Sequence, residues 1–380
     1  MKQTSSILST YTADVSGVAS ALYEMGGMTI MHDASGCNST YNTHDEPRWY
    51  DMPSMVYVSA LAEVDALMGD DEKLICDVCR AALELKPRFV AVAGTPIPMM
   101  MGTDLPAIAR LIEARCGMPT LGLATNSMHS YNSGASMALE AIARRFCGKD
   151  VTRVPRASGA RPSVNLLGVT PLDFSVTGNV PALRALFEEN GCSVVGCWAM
   201  GSSWDELMHA GEACVNVVVS SCGEGPAAAL REIYGTPCVT GLPVGESVTL
   251  EMLALIEKAA ACGEDQSLLN APRAAEDDKI FVIGEPVQCA SIARALREDY
   301  RLRGVRAISP LGFPDEDAIF STLKKADIVI ADPLFRAAAP ADCRFVSLPH
   351  EGFSGRIYRS DIPIFIGGAF NEWIERELSL

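Results

Sequence analysis

The first predicted strand of this chain ends in a loop that carries a thiol and imidazole groups. The apolar run Met28–Met31 leads into His32, and Cys37 and His44 follow in the same loop. In α/β proteins the carboxyl ends of strands hold the chemistry, and thiolate and imidazole are a soft and a borderline metal ligand. Cys37 is therefore either a metal or cluster ligand or a structural thiol, in a chain with 13 cysteines.

A second cysteine pair, Cys76-Asp-Val-Cys79, has the C-x-x-C spacing of redox and metal sites. The pattern predicts a helix over 70–85, in which residues three apart lie on one face. The sequence contains no second C-x-x-C pair to complete a zinc site. The two thiols are expected either to pack within the helix or to join Cys37 as additional cluster ligands.

Composition excludes several classes of function. With 380 residues and a formal net charge of −16, the chain has no basic excess for nucleic acid or for an anionic membrane surface. No apolar run reaches transmembrane length, and the first residues lack the apolar core of a signal peptide. Neither a Gly-x-Gly-x-x-Gly fingerprint nor a Walker A motif occurs, so no nucleotide is expected on this chain. We expect a cytoplasmic protein with mostly reduced thiols.

Alternating β-rich runs and helical stretches predict an α/β protein with parallel sheets. The three predicted units cover 1–155, 160–270 and 275–365. A linker rich in arginine, proline and glycine, Arg153–Pro162, marks the first boundary. The second unit closes with a predicted strand at Cys238–Thr240, and a C-terminal helix, 366–380, could pack back on the first unit.

Short segments along the chain match one known family in order and spacing. The strand end from His32 to Gly36-Cys37 is the first. The others are Ser59–Glu63, Gly69–Leu74, Lys86–Thr95, Gly102–Leu105, Asn165–Gly168, Leu183–Gly191, Trp204–Leu207, Asn216–Val219, Tyr234–Pro237 and Gly352–Gly355. Through them the chain resembles the component 1 family of nitrogenases and nitrogenase-like reductases. The resemblance implies three Rossmann-like domains with parallel sheets around a central crevice, and paired subunits.

The resemblance also implies an iron–sulfur cluster, expected to be [4Fe-4S] and shared at a subunit interface, with Cys37 as one ligand. Family chains with a full half-site carry three cysteines in the first domain. Here Val56 and Pro96 stand near the second and third positions. One thiolate per chain is too few, so the other ligands would come from a second copy in a homodimer or from a different component-1-like chain in a heterodimer.

Strand-end turns supply the residues expected to line a substrate pocket in the crevice. They are His32, His44, Thr95, Met99, Asn126, Thr170, Cys222, His350 and Glu351. Met99 could instead pack in the core, and Cys222 could be a metallocofactor ligand, a pocket thiol or an inert packing residue. His350 and Glu351 resemble the place where nitrogenase has its cofactor histidine, and we expect them to face the pocket without binding metal.

The resemblance implies an oxidoreductase subunit. It would take electrons from a transiently docked, ATP-dependent iron–sulfur reductase and pass them through the interface cluster to a small or tetrapyrrole-like substrate. Dinitrogen is not the expected substrate, because the nitrogenase ligand set is incomplete. Two alternatives stay open: a non-catalytic scaffold or carrier for a metallocofactor or tetrapyrrole, and a cluster-less ligand-binding relic of the family.

Overall fold

The computed structural model describes residues 6–10, 13–39, 41, 45–148, 161–269, 278–311 and 316–379. His44 and residues 153–160 of the predicted linker lie outside this part. The described residues form three parallel sheets with helices between most successive strands, which confirms the predicted α/β class. None of their helices is long and apolar enough to cross a membrane.

The first sheet contains β1 (Met28–His32), β2 (Met55–Val58), β3 (Val90–Gly94) and β4 (Thr120–Leu123). Its strand order is β2-β1-β3-β4, with every neighbouring pair parallel. The helices of this part are α1 (Asp14–Leu22), α2 (Glu63–Met68), α3 (Asp71–Leu85), α4 (Pro96–Met101), α5 (Leu105–Cys116) and α6 (Tyr131–Phe146). Strands β1 and β3 are buried along their whole length, as is usual where helices cover both faces.

The second sheet contains β5 (Ser163–Leu167), β6 (Ser193–Cys197), β7 (Val215–Val218), β8 (Cys238–Thr240) and β9 (Gln266–Ser267). Its order is β6-β5-β7-β8-β9. Its helices are α7 (Pro171–Phe174), α8 (Asn179–Glu189), α9 (Trp204–Met208), α10 (Glu224–Tyr234) and α11 (Glu246–Cys262). The strand order reverses between β5 and β7, and such a switch point leaves a crevice at the carboxyl ends of the two strands.

The third sheet contains β10 (Ile280–Ile283), β11 (Val305–Ile308), β12 (Ile328–Ala331) and β13 (Arg344–Ser347). Its order is β11-β10-β12-β13, so its switch point lies between β10 and β12. Its helices are α12 (Pro286–Glu298), α13 (Glu316–Leu323), α14 (Glu351–Ser354) and α15 (Gly368–Leu378).

Buried apolar clusters cross the boundaries between the sheets. One cluster joins Leu139 of α6 to Leu167 of β5. Another joins Val217 of β7 to Ile330 of β12. The three sheets are therefore packed against one another, and this packing brings the ends of their strands together.

Helix α15 packs on the second and third sheets, and the expectation that it returns to the first unit is wrong. Phe370, Trp373 and Ile374 belong to the buried cluster that contains the core of these two sheets. Asn371 on the same helix donates a hydrogen bond to Asp299, next to the end of α12. The sequence shows the apolar stripe of such a helix but not which surface covers it.

Helix α11 has no counterpart among the predicted elements. It begins after Gly245, whose φ of 73° favours glycine, and it is rich in alanine, leucine and glutamate, which are strong helix formers. The helix propensity of this segment therefore favours a helix here. Its buried residues, among them Met252 and Ile256, cover the second sheet.

Helices α1 and α6 approach closely because each has a glycine at the contact. An ideal Cβ at Gly17 would lie 1.8 Å from the carbonyl oxygen of Tyr131. One at Gly134 would lie 1.8 Å from the carbonyl oxygen of Asp14. The two backbones thus touch, and the contact fixes the first turn of α6, including Tyr131.

Replacing Gly17 with alanine is expected to lower the free energy of unfolding by about 2 kcal/mol or more, because the added methyl group forces the two helices apart. Urea unfolding measures this loss. Gly368→Ala is the matched control, since nothing lies within 4 Å of an added Cβ at that helical position. Equal stability of the two variants would show that α1 and α6 are not in backbone contact.

Candidate active site at the junction of the three sheets

Strand ends from all three sheets meet at one buried place. Tyr131 begins α6, the helix after β4 of the first sheet. Asp173 and Cys222 follow β5 and β7 of the second sheet, and Glu285 and His350 follow β10 and β13 of the third. All five side chains are buried. We call these five residues the Asp173 cluster.

The Asp173 carboxylate is the acceptor on which the surrounding donors converge. Its Oδ1 accepts a hydrogen bond from the Tyr131 hydroxyl at 2.5 Å. Its Oδ2 accepts from the Thr170 hydroxyl at 2.8 Å and from the Cys222 thiol at 3.2 Å. Burial by itself raises the pKa of Asp173, but contacts with His350, Tyr131 and Thr170 outweigh it and hold the pKa below its ordinary value. Asp173 is therefore a buried anion at neutral pH.

Tyr131 and Cys222 stay protonated beside this anion. Burial, and then the charge of Asp173, raise the pKa of each well above its ordinary value. Cys222 is fully buried, and its S–H is committed to Asp173. A metal would need the thiolate form, so the geometry favours a hydrogen-bonding role for Cys222 over a ligand role.

The His350 ring is oriented by the backbone that follows it. The Gly352 amide donates to Nδ1 at 3.1 Å, so Nδ1 carries the lone pair and the hydrogen-bond network assigns the ring proton to Nε2. Nε2 lies 3.6 Å from Oδ1 of Asp173, slightly beyond hydrogen-bond distance, and has no closer partner among the described residues. His350 therefore directs an N–H group at the anion without a full hydrogen bond.

Glu285 is a second buried carboxylate in the cluster. It is the N-cap of α12, and its oxygens accept from the amides of Ser221, Val287 and Gln288 at 2.7–2.9 Å. Burial, followed by the charge of Asp173, raises the pKa of Glu285 to about 7. One carboxylate of the pair stays ionised while the other changes charge near neutrality, an arrangement that enzymes use to hold and transfer protons.

Glu285 should make the stability of the protein depend on pH. Its pKa rises from about 4.5 in the unfolded chain to about 7 in the folded one, so the folded state holds an extra proton between these values. The stability that this proton provides is complete below about pH 4.5 and is lost as the pH rises through 7. The loss amounts to roughly 3 kcal/mol.

Glu285→Gln, which imitates the protonated carboxyl, should remove this part of the pH dependence. Urea unfolding between pH 5 and 8 tests it, with the exposed Glu84→Gln as control. Wild type and the control should lose stability in parallel across this range, whereas Glu285→Gln should lose less. Parallel curves for all three proteins would show that Glu285 does not titrate in this range.

A ring of further hydrogen bonds holds the loop that carries His350. Asp332, at the end of β12, accepts from the His350 amide at 2.7 Å and from the Ser354 hydroxyl at 2.7 Å. Glu351 accepts from the Ser175 hydroxyl at 2.9 Å and pairs with Arg359. Both carboxylates are buried, so the start of α14 is fixed on two sides.

A cavity of about 370 Å³ lies next to the cluster. Its lining residues include Ser9, Met128, His129, Ser133, Leu311 and the buried residues Tyr131, Gly352 and Phe353. Asn126 braces the adjoining loop, since its Oδ1 accepts from the Met128 amide at 2.9 Å. Tyr131 links the two places, since it lies at the cavity lining and its buried hydroxyl reaches Asp173.

Cys37 lies apart from the Asp173 cluster, in an exposed loop beyond β1. The charge of Asp33, then burial and a hydrogen bond to the same carboxylate, raise the pKa of Cys37. Asp33 itself is fixed by the Asn38 amide group at 2.7 Å. The Cys37 thiol is accessible, but a nearby positive charge would be needed to favour its thiolate.

The other predicted residues of the first sheet hold the base of this loop. His32 is buried, and its Nδ1 lies 2.8 Å from the Ser59 hydroxyl. Burial lowers the pKa of His32. The Thr95 hydroxyl donates to the His32 carbonyl oxygen at 3.0 Å. His32 and Thr95 thus join β1, β2 and β3 at their carboxyl ends.

Two short helices beside the Cys37 loop expose apolar side chains. Helix α2 has no buried residue, and it contacts α4. The exposed side chains are Val64, Leu67, Met68, Met99 and Met100, a set that we call the apolar patch. Met99 is 44% exposed, so the alternative that it packs in the core is wrong.

The described residues around Cys37 do not form a complete set of metal ligands. Across the described ranges, no group of three His, Cys, Asp or Glu residues could hold a metal ion. Cys76 and Cys79 lie on α3 as predicted, where Cys79 packs against Ile112 of α5. Any iron–sulfur cluster held by Cys37 would therefore need ligands besides those that the described residues offer.

The structure separates the predicted site residues into two places. Thr170, Cys222 and His350 meet in or beside the Asp173 cluster, with Glu351 next to them, whereas His32, Cys37, Thr95 and Met99 lie around the end of the first sheet. Asn126 lies near the adjacent cavity, and His44 is outside the described residues. Glu285 and Asp332 were not predicted, and Asp173 was expected only as part of the turn that contains Thr170. Each is an acid that follows a buried strand or its turn, the position at which such folds bind ligands. Tyr131 does not directly follow a strand, and nothing in the sequence indicates that its side chain reaches the site.

A model of the family described as nitrogenase component 1 type oxidoreductase matches residues 15–298. One of the subunits of light-independent protochlorophyllide reductase, from Rubrivivax gelatinosus, is 25% identical over 252 residues, which cover 61% of this chain and 46% of that protein. The nitrogenase iron-molybdenum cofactor biosynthesis protein NifE from Klebsiella pneumoniae is 26% identical over 246 residues, covering 62% and 52%. The chain thus spans about half the length of these curated relatives.

A solved structure described as nitrogenase Cp1 at pH 6.5 shares the fold over the whole chain. The TM-score is 0.69 at 15% sequence identity, and the match covers 100% of this chain and 94% of the other. At this identity the likeness concerns the fold alone. It agrees with the Rossmann-like arrangement of the three parallel sheets.

Proposed function

The chain belongs to the nitrogenase component 1 type oxidoreductase family, and we propose that it is one of the subunits of a two-chain oxidoreductase that reduces an organic substrate beside the Asp173 cluster. The observation that carries this proposal is the convergence of all three sheets on one buried anion next to a cavity of about 370 Å³. Fold alone does not determine function, so the proposal rests on this site.

The substrate is proposed to be a small or tetrapyrrole-like molecule. The name of the related protochlorophyllide reductase supports a tetrapyrrole. The cavity is open to solvent, so a flat ring system larger than the cavity could extend outward while one edge lies inside. The Asp173–Glu285 pair, which Tyr131 connects to the cavity lining, would hold protons for the reduction.

Cys37 is proposed as one ligand of an iron–sulfur cluster, [4Fe-4S], shared with the second chain. When bound, such a cluster supplies one-electron transfer. The exposure of Cys37 and the lack of three suitable groups in the described part of this chain support a site completed by a partner. The partner is a second copy or another component-1-like chain, and a separate ATP-dependent iron–sulfur reductase would deliver the electrons.

The apolar patch is the proposed contact surface for the second chain. Both of its helices are tied to the Cys37 loop: the Leu61 amide, just before α2, donates to the Asp33 carbonyl at 2.8 Å, and Thr95 caps α4 while bonding His32. An exposed apolar surface of this kind marks an interaction site. A chain seated there would contact the helices that are hydrogen-bonded to the start of the Cys37 loop.

Substrate binding can be tested by closing the cavity. Ser133 is exposed at its lining, so Ser133→Trp should weaken binding of protochlorophyllide to the two-chain complex at least tenfold, as followed by the fluorescence of the pigment. Ser193→Trp, at an exposed position of β6 away from the cavity, should bind as wild type does. Equal binding by both variants would place the substrate elsewhere.

A non-catalytic scaffold or carrier is the second candidate, and similarity to the biosynthesis protein NifE favours it. Such a protein would bind its cofactor or tetrapyrrole in the same cavity without turnover. A complex that binds the pigment, receives electrons from the reductase with MgATP and still leaves the pigment unreduced would indicate this role. A complex without bound iron or pigment would indicate a relic of the family.

A further inference from the structure

Three cysteines lie together where α3 packs on α5. Cys76 and Cys79 are one helical turn apart on α3, and Cys116 is the last residue of α5. Cys79 belongs to a buried apolar cluster, and Cys116 packs against that cluster. Cys79 is buried, Cys116 is half-buried and Cys76 is exposed on the helices that cover the first sheet. None of the three takes part in the proposed reduction.

The contacts between the two helices bring Cys79 and Cys116 next to each other. The Cys79 thiol lies 3.9 Å from the Ile112 carbonyl oxygen, and Cys116 is one turn beyond Ile112 on the same helix. Both cysteines pack in the same apolar cluster between the two helices. On the outer side, Arg115 Nη1 lies 3.4 Å from the Cys76 sulfur, which holds the end of α5 against α3.

We propose that Cys79 and Cys116 form a reversible disulfide that joins α3 to α5 when the protein meets a low-molecular-weight disulfide such as oxidised glutathione. The chain thus carries a redox modification site in its first unit, independent of Cys37. The inference does not depend on the proposed catalytic function.

The exchange proceeds in two balanced steps. The Cys116 thiolate attacks one sulfur of glutathione disulfide, which forms a mixed disulfide and releases one glutathione thiolate. The Cys79 sulfur, after losing its proton to solvent, attacks the Cys116 sulfur and releases the second glutathione. Two cysteine thiols are oxidised and one glutathione disulfide is reduced to two thiols.

Accessibility decides the order of these steps. Cys116 is half-buried, whereas Cys79 is buried. Burial and the neighbouring Cys116 also raise the pKa of Cys79 to about 11, so Cys116 is the thiol that attacks first. Cys76 is more exposed, but its thiol is held at the surface between Glu72 at 3.3 Å and Arg115.

The disulfide would join α5 to α3, the helix that forms one wall of a second cavity. Asp77, Val78 and Ala81 of α3 line a space of about 270 Å³ that reaches His32. Joining α3 to α5 fixes this wall and thereby the base of the Cys37 loop. Oxidation should therefore rigidify the first unit without altering the Asp173 cluster.

The test is to incubate the native chain with oxidised glutathione, block free thiols, and map disulfides by peptide mass spectrometry without reduction. We expect a Cys79–Cys116 cross-link, and a thermal midpoint about 5 °C above that of the reduced protein. Cys116→Ser should abolish both effects, and Cys76→Ser should retain both.

Two results would overturn the proposal. One is that Cys79 and Cys116 stay free while the exposed Cys37 and Cys262 become glutathionylated. The other is that Cys79 joins Cys76 instead. Both results come from the disulfide map of the wild-type protein. They therefore test the proposal even if the Cys116→Ser variant folds poorly.

Discussion

Replacing Asp173 with asparagine is expected to lower the free energy of unfolding by about 3 kcal/mol. The anion accepts hydrogen bonds from Tyr131, Thr170 and Cys222, and faces Nε2 of His350. An amide in its place puts N–H groups against one or more of these donors, and donors buried without an acceptor cost free energy. Removing one member of a buried charged network carries a penalty of this size.

Urea unfolding at pH 7 measures this effect. Asp342→Asn is the matched control, because Asp342 is exposed, and it should change the stability by less than about 0.5 kcal/mol. Tyr131→Phe should be destabilising in the wild type and less so in Asp173→Asn, since its hydroxyl then has no anion to bind. If Asp173→Asn proves as stable as the control, the donors do not depend on a charged acceptor.

Replacing Cys37 with alanine is expected to reduce the iron and acid-labile sulfide of the two-chain complex to background. A cluster generally needs four ligands, and this chain offers Cys37 as its accessible thiol at the proposed interface. Because Cys37 is exposed and its side chain supports no core packing, the free energy of unfolding of the isolated chain should stay within about 0.5 kcal/mol of wild type.

The iron content is measured on complexes purified without oxygen. Cys262→Ala is the matched control, because Cys262 is also exposed and lies at the end of α11, far along the chain from the Cys37 loop. The control should keep the iron of wild type. Full iron in Cys37→Ala would mean that another residue of this chain, or the partner alone, provides the ligands.

The fold could be predicted from sequence because its signals are local. Runs such as Val90–Gly94 alternate with helices whose apolar stripes are visible in the sequence, and that alternation predicts parallel sheets. The packing of α15 could not be predicted in this way, because Phe370 and Trp373 mark a buried face without identifying the surface that covers it.

The site was partly predictable for the same reason. Thr170, Cys222 and His350 stand at strand ends, and the order of the strands brings them together. The sequence could not show that Asp173, in the turn after Thr170, is the centre of their hydrogen bonds, because that depends on how three sheets pack. Nor could it show that Tyr131 reaches the cluster, since its place depends on the contact of α6 with Gly17.

The most direct test of the proposed function is electron delivery to the complex. The chain and its component-1-like partner are purified together without oxygen, mixed with the iron–sulfur reductase, dithionite and MgATP, and followed by electron paramagnetic resonance and by pigment absorbance. We expect an iron-dependent signal from the complex that changes only when MgATP is present, with reduction of the pigment in wild type and loss of both effects in Cys37→Ala. A complex that contains no iron, or whose signal and pigment do not change with MgATP, would contradict the assignment as an oxidoreductase subunit.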